Sequence, residues 1–559
     1  MKHISCINVF FVASLLLIAT GCSKKIDDAY LWPNKPWQDV NNQAPVEDLL
    51  AGAISSMANT ASANGNNFGP MNDGRFVGSY IQFWASNGTN NLYDRMGGVT
   101  GTSDILGSIW GMHYYTLGQN IGTLIEKATL EKKWDFLGVA QALRAWGWLT
   151  LTDMHDEVIL KEAFRKDLLV FKYDTQQEVY EEVKRLCNEA IINLNKTGDN
   201  VNPTKLAQSD AWGNGGDLKK WKKFVYGVLA RVNHRITNKS IYNPDNVIRF
   251  CDSSIQNNSE NTYVKFSAAG GYGTFNFMGI RRLGTGGLDN TASQTHRQTK
   301  FIADLMSGAN NQFRTGSVDP RAPYIIRENS LGTYRGVRPV RGTDATLLTT
   351  AQLPTSFWGT GFTGSASGST DANCRYIFTN AGPYPVMTAS EIQFIKAEAL
   401  HRKGDRINAL SAYRRGVELS FDMLRTVYER NVPASLCMTD ASRNAYLNNP
   451  LNVPTADNLT LSHIMLQKYI AMYAWGVVET WVDLRRFHYI DLDPISGQQV
   501  YRDFTPPSGA DLWVDNFGKL VQRARPRFNS EYLYNIAELT RIGALALDYH
   551  TKEQWFSQR

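Results

Sequence analysis

From Leu218 onward the apolar positions Leu218, Trp221, Phe224, Val225, Val228, Leu229, Val232 and Ile236 recur at steps of three and four. That spacing predicts an amphipathic helix with one face turned inward. Val139, Leu143, Trp146 and Leu149 repeat it within LGVAQALRAWGWLTLTD. In TASEIQFIKAEALHRKGD, Thr388 and Glu391 are spaced as a capping box, the stripe runs Ile392, Ile395, Ala399, and Gly404 marks the stop. RINALSAYRRGVELS follows at once, with Ala409, Leu410, Tyr413 and Val417 on its inner face. Two helices joined at a small-residue turn predict a tetratricopeptide-like pair. A strict recurrence of about 34 residues is absent, so any repeats are degenerate.

Between the helical stretches the periodicity stops. Asn, Gly, Ser and Thr fill 59–74, 85–103, 196–217, 266–295 and 328–385. Loops of that length suit a functional surface carried on a rigid scaffold. The expectation is a mainly α domain over 45–559 with loop insertions around 59–103, 196–217, 266–295 and 328–385. Ahead of it, Lys2 and His3 precede an apolar run from Val9 to Ala19, and no acid occurs before Asp27. This predicts a signal peptide over 1–21, its apolar run being shorter than the ~20 residues that span a bilayer. Cys22 follows Gly21 at the polar edge and resembles the acylated cysteine of a bacterial lipoprotein. Residues 22–44, with Pro33 and Pro36, read as its tether, and lipid there anchors a protein without threading it through the membrane. The Lys-Lys-Ile-Asp-Asp that follows resembles a short acidic surface-export tag.

Composition changes the picture little. The chain has 559 residues, 43% hydrophobic and 20% charged, which suits a globular body. The formal charge of +6 is read as spread along the chain, so nucleic acid is not expected as a partner. Cys187, Cys251, Cys374 and Cys437 form no C-x-x-C pair and lack histidines at metal spacing, so they read as buried small hydrophobes ahead of bridged pairs.

Catalytic chemistry finds no support: there is no H-E-x-x-H, G-x-S-x-G or phosphate-binding loop, and GGYG (270–273) and GTGG (284–287) read as flexible loop. His155, Asp156 and Glu157 read as a solvated turn. Glu479 and Asp483 share one helix face, ~6 Å apart, whereas a glycosidase pair lies on opposite sides of the sugar. With Arg485 and Arg486 beside them they read as a structural ion-pair network. No catalytic residue, metal or cofactor is expected. Trp146, Trp221, Trp475 and Trp481 lie on helical segments and read as packing anchors. Loop aromatics are the candidates for stacking on sugar faces, with amides and carboxylates beside them for the hydroxyls. Trp84 and Tyr93 stand with Asn87, Asn90 and Asp94; Tyr272, Phe275 and Phe277 form a second group; Phe357 and Trp358 form a third. Each ring has an alternative use, pinning its loop to the scaffold. The basic clusters RRLG (281–284) and RPVRG (338–342) could grip an acidic sugar or a peptide carboxylate.

Four stretches in order, QALRAWGWLTLTDMHDEVILKEAF (141–164), GGDLKKWKKFVYGVLARVNHRI (215–236), YPVMTASEIQFIKAEALHRKGD (384–405) and LQKYIAMYAWGVVETWVDLRRF (466–487), resemble the SusD/RagB outer-membrane lipoproteins of Bacteroidetes. RARPRF (523–528) resembles that family's arginine- and proline-rich segment. One departure is clear: the family usually runs through a Gly-Asp-Val-Pro turn after LTLTD, and here Asp156 takes the glycine's place and Ile159 the proline's. The resemblance implies a helical scaffold with tetratricopeptide-like pairs and a loop-built ligand face. It also implies a lipid-anchored protein facing the cell exterior that captures an oligosaccharide and delivers it to a SusC-like TonB-dependent transporter. The alternatives are peptide capture, as in RagB-like members, or a helical scaffold of a surface complex with no ligand of its own.

Overall fold

The computed structural model describes residues 44–59, 68–86, 93–97, 106–165, 167–269, 274–283, 288, 295–342, 344, 347–359 and 370–559. The expected signal peptide, Cys22 and most of the tether lie outside the described residues, as do Asn87, Asn90 and Tyr272.

The principal helices are α1 (Val46–Ser55), α2 (Pro70–Tyr80), α3 (Gly118–Leu130), α4 (Trp134–His155), α5 (Gln176–Leu194) and α6 (Leu218–Arg235). They continue with α7 (Pro244–Ser253), α8 (Ala389–Lys403), α9 (Arg406–Val427), α10 (Leu461–Ala471) and α11 (Val477–Arg486). Successive members pack side by side from α3 through α9, with α10 laid against α8 and α9. The fold is mainly α, as expected. Its centre is α4, whose sequence is apolar around nearly its whole circumference and whose residues are almost all buried, the pattern of a helix covered on every side. Gly138 lets the end of α5 approach, since a Cβ there would fall 2.6 Å from the Leu194 side chain.

The predicted stripes form the core. Trp221, Phe224, Val228 and Val232 of α6 are buried, as are Ile392, Ile395 and Ala399 of α8 and Tyr413 and Val417 of α9. Gly404 ends α8 at φ 88°, in the left-handed region glycine favours. The predicted capping box is half made. Thr388 accepts the Glu391 N–H, while the Glu391 carboxylate turns to Arg231 at 2.7 Å.

That diversion belongs to a buried ion network joining five helices. Arg231 of α6 also meets Glu479 of α11 at 3.2 Å, and Arg235 bridges Glu479 and Asp153 of α4. Arg486 pairs with Glu398 of α8 and with Asp483, each at 2.8 Å, and Lys468 of α10 closes on Asp483 at 2.7 Å. Burial pushes the Glu398 carboxyl up, and the Arg486 guanidinium outweighs it and holds the group well below the usual carboxylate range. Glu479 and Asp483 are therefore structural, as their helical spacing suggested.

Two elements depart from the expected loops. Helix α2 forms inside 59–103 despite two glycines and an Asn-Asp pair, because burial of Met71, Val77 and Tyr80 outweighs weak intrinsic propensity. A short helix, Pro203–Ser209, interrupts 196–217 under an Asn202 cap. Two small antiparallel ladders order other loops: β1 (Trp84–Ser86) pairs with β3 (His296–Gln298), and β2 (Thr262–Val264) with β4 (Tyr384–Met387).

The C-terminal segment returns to α4. Ala524 N–H donates to the Met154 carbonyl at 2.7 Å, and Gln554 and Phe556 bond the Gln176 side chain. This covers the His155–Asp156–Glu157 turn, which is buried or half-buried where a solvated turn was expected. Asp156 keeps a glycine-like backbone, φ 70°, which costs a non-glycine residue about 1–2 kcal/mol. Arg523 of RARPRF, 2.8 Å from its carboxylate, and the Trp555 N–H hold it there. Cys187, Cys251, Cys374 and Cys437 are free thiols, the first three buried.

Candidate functional site

The β1–β3 ladder positions a surface where three distant loops meet. Beyond β1 the chain reaches Tyr93, whose hydroxyl donates to the Asp511 carbonyl at 3.0 Å. The adjacent Asp94 carboxylate accepts the Trp513 N–H at 2.7 Å and the Asn516 side-chain amide at 2.9 Å. Burial pushes Asp94 up to about 6, against the lowering effect of the Trp513 N–H. Arg95 then lays its guanidinium 3.6 Å from the centroid of the Trp513 ring, within cation–π range. The Trp513 indole N–H donates to Asp515 at 3.1 Å. A third loop joins through Arg341, which pairs with Asp511 at 2.8 Å and fastens the Arg338–Gly342 hairpin beside the ring. Trp513 is half-buried, and its neighbours Val514 and Phe517 are exposed. The result is a tryptophan whose backbone is held by the Asp94 carboxylate and whose indole is held by the Asp515 carboxylate and the Arg95 guanidinium, on a surface that also exposes apolar groups.

The aromatic residues singled out in the sequence lie differently. Trp84, Phe277, Phe357 and Trp358 are buried. Trp84 rests on Gly78, where a Cβ would fall 2.3 Å from the ring, and its Nε1 donates to the Arg75 carbonyl. Phe357 stacks on Phe378 with centroids 4.4 Å apart, and Trp358 Nε1 donates to the Met278 carbonyl at 2.7 Å. In this conformation these rings pin loops to the scaffold and present no open face. Tyr93 and Asp94 are buried too, yet they position Trp513 and so belong to the site indirectly. Phe275 is half-buried, with Arg281 5.0 Å from its ring centroid. Trp513 itself was missed. Its stretch DLWVDNFG carries the same mixture of aromatics, acids and glycine as the other candidates but lies outside the long Asn- and Gly-rich loops.

Residues 38–506 match a protein family described as SusD-like, "starch-binding associating with outer membrane". The chain belongs to the SusD-like family. No protein of curated function matches it in sequence. Among solved structures it resembles a SusD/RagB family protein from Bacteroides thetaiotaomicron, with a TM-score of 0.64 and 18% identity over 92% of this chain and 99% of that one. A SusD homologue from Bacteroides fragilis gives 0.63 and 17%, over 92% and 100%. A chitin-binding SusD homologue from Flavobacterium johnsoniae gives 0.62 and 18%, over 92% and 98%. At such identities the likeness shows a shared fold.

Two cavities in this SusD-like protein compete with the Trp513 surface. The larger, 620 Å³, runs between α7, α8 and α9. It has no aromatic lining, and its charges are matched in place, Lys396 with Asp252 and Lys403 with Asp245 at 2.5 Å and Arg414 with Glu418 at 3.1 Å. Sugar stacking has no partner there. A slot of 40 Å³ between Trp146, Tyr384 and Trp475 opens onto Glu479 and Arg231. It has room for a water, which takes about 30 Å³ in the liquid, and not for a sugar ring. No group of three His, Cys, Asp or Glu among the described residues is placed to hold a metal, and no described helix is long and apolar enough to cross a membrane.

Proposed function

We propose that this SusD-like protein is a surface lipoprotein, anchored through acylated Cys22, that binds an oligosaccharide and passes it to a SusC-like TonB-dependent outer-membrane transporter. Family membership supports the class, and the chitin-binding of a structural relative supports a glycan. The observation that carries the site is the half-buried Trp513 clamped between Arg95, Asp94 and Asp515. A sugar presents flat C–H faces, and an indole held rigid loses little entropy on receiving them. Asn87 and Asn90, between β1 and Tyr93 in sequence, are the proposed amides for the hydroxyls, and Tyr272 and Phe275 are kept as candidate rings of a separate loop. A binding role is supported over catalysis because Asp94, Asp511 and Asp515 are each engaged in holding Trp513 or Arg341, so that these described carboxylates form no pair poised across a glycosidic bond.

The test is calorimetric titration of the full chain with an oligosaccharide panel, alongside Trp513→Ala. The expected result is glycan binding weakened about tenfold by the substitution, a loss of about 1.4 kcal/mol. Peptides saturating the protein while no glycan does would replace this reading with RagB-like peptide capture. Co-purification of the transporter with neither ligand bound would leave a scaffold.

A further inference from the structure

The loops around β3 are rich in positive charge. Between Arg281 and Arg341 the sequence has ten Lys and Arg against four Asp and Glu, so the charge excess is concentrated here and not spread evenly. Three of those acids are already taken: Asp304 by Lys300, Asp319 by Arg321 at 2.6 Å, and Glu328 by Arg375 at 2.8 Å. Arg327, Arg335 and Arg338 have no carboxylate partner among the described residues.

One buried residue, Gln298, gathers the backbone at these three positions. Gln298 Nε2 donates to the carbonyls of both Arg327 and Arg335, at 2.6 and 2.9 Å. Val337, next to Arg338, donates its N–H to the Gln298 carbonyl at 3.0 Å. Arg338 then begins the hairpin that Arg341 ties to Asp511 beside Trp513. Arg335 and Arg338 are exposed, while Arg327 is 8% exposed. Its Nη1 donates to the Asn373 carbonyl at 2.8 Å, and its Nε has no hydrogen-bond partner. Burial, with Arg375 beside it, pushes the Arg327 guanidinium down to about 10. The following stretch 360–369 contains no acid, and Asp371 is held by Arg430 and the Asn380 N–H. The carboxylate neighbouring Arg327, Glu328, is engaged by Arg375, so the buried guanidinium is only partly compensated, and an anion brought by a ligand offsets the remaining cost.

We infer that Arg327, Arg335 and Arg338 form an anion-binding edge of the Trp513 site, and that its ligand is an acidic oligosaccharide bearing carboxylate or sulfate groups. The inference rests on the glycan-binding reading above and narrows it. Guanidinium forks match carboxylate and sulfate oxygens two at a time, while the exposed pair attracts such a chain over a distance set by ionic strength.

The full chain, purified in detergent, is titrated with matched probes. These are an oligogalacturonate and its methyl-esterified form, a chondroitin sulfate hexasaccharide and its desulfated form, neutral chitin and starch oligosaccharides, and acidic peptides. Binding of an acidic saccharide, weakened about tenfold by Arg335→Gln with Arg338→Gln and falling as salt rises from 50 to 500 mM, is expected. The uronate and sulfate arms distinguish the source of the anion. Arg327→Gln is expected to act in the same direction, and the exposed double variant keeps the test valid should the buried one fold poorly. Neutral saccharides binding as well as acidic ones, indifferent to salt and to the arginine variants, overturn the anionic edge while leaving the glycan reading intact. Saccharide binding that Trp513→Ala leaves unchanged overturns the site itself. Peptide binding alone, or no binding by any probe, overturns both.

Discussion

Trp513 and Trp358 carry the same indole under opposite constraints. Trp358 is fully buried, with its N–H spent on the Met278 carbonyl, so Trp358→Ala leaves a cavity and an unpaired acceptor. Its expected cost is about 3–5 kcal/mol in denaturant unfolding. Trp513→Ala is expected to cost little stability and to act on binding. Equal unfolding midpoints for Trp358→Ala and the parent would reverse the assignment. Asp94 adds a pH dependence. Its folded carboxyl titrates at about 6, above the ordinary unfolded value near 3.9, so the fold holds the proton more tightly than the open chain does. The stability it contributes is full below about pH 4 and is lost as pH rises through 6. Because Asp94 accepts the Trp513 backbone N–H and so sets the position of the ring, tryptophan emission is expected to show a step near pH 6 that Asp94→Asn removes. Emission flat from pH 5 to 7 in the parent would contradict this. Sequence alone named Tyr93 and Asp94 but could not show that they are props for a ring some 420 positions away.

At the scale of elements, the stripes on α6, α8 and α9 were readable because one face of each meets a neighbour and the other meets water. The fate of Glu391 was not, since a local cap and a distant arginine compete for one carboxylate and tertiary burial decides. Helix α2 was missed for the same reason, its stability coming from packing more than from propensity. The ion network predicts a sharp asymmetry. Removing one member, as in Glu398→Gln, leaves Arg486 in a dry interior with only Asp483, which Lys468 shares, and is expected to cost about 3–5 kcal/mol in thermal or denaturant unfolding. A loss under 1 kcal/mol would mean that water reaches the cluster. Asp156 is the other test. Asp156→Gly relieves the positive φ but strips Arg523 of its partner, so the single change is expected to destabilise. Combining it with Arg523→Met should recover most of the loss, a coupling read from a double-mutant cycle.

For the whole molecule, the order of helical stretches was enough to indicate the SusD-like scaffold, because α3–α9 pack in sequence and neighbours along the chain are neighbours in space. The candidate site obeys no such rule. It joins residues 93–95, 338–341 and 511–515, which no local pattern connects. The closing segment is expected to matter as much as the helices. Deleting residues 552–559 removes the Trp555 N–H from Asp156, the carbonyls of Lys552 and Glu553 that hold Arg523, and the Gln554 and Phe556 partners of Gln176, and should abolish cooperative unfolding, whereas a sharp transition at the parent's midpoint would show the segment to be dispensable.

Those last residues also govern timing. A ribosome makes α4 long before the groups that lock it, from Ala524 to Phe556. Until then the helical pairs can form and re-form, but the turn at Asp156 has no anchor and the centre of the scaffold stays uncovered. Non-local contacts of this span are slow to close. Ordering of the Asp156 turn, and with it the covering of α4, is therefore expected to be a late event in folding.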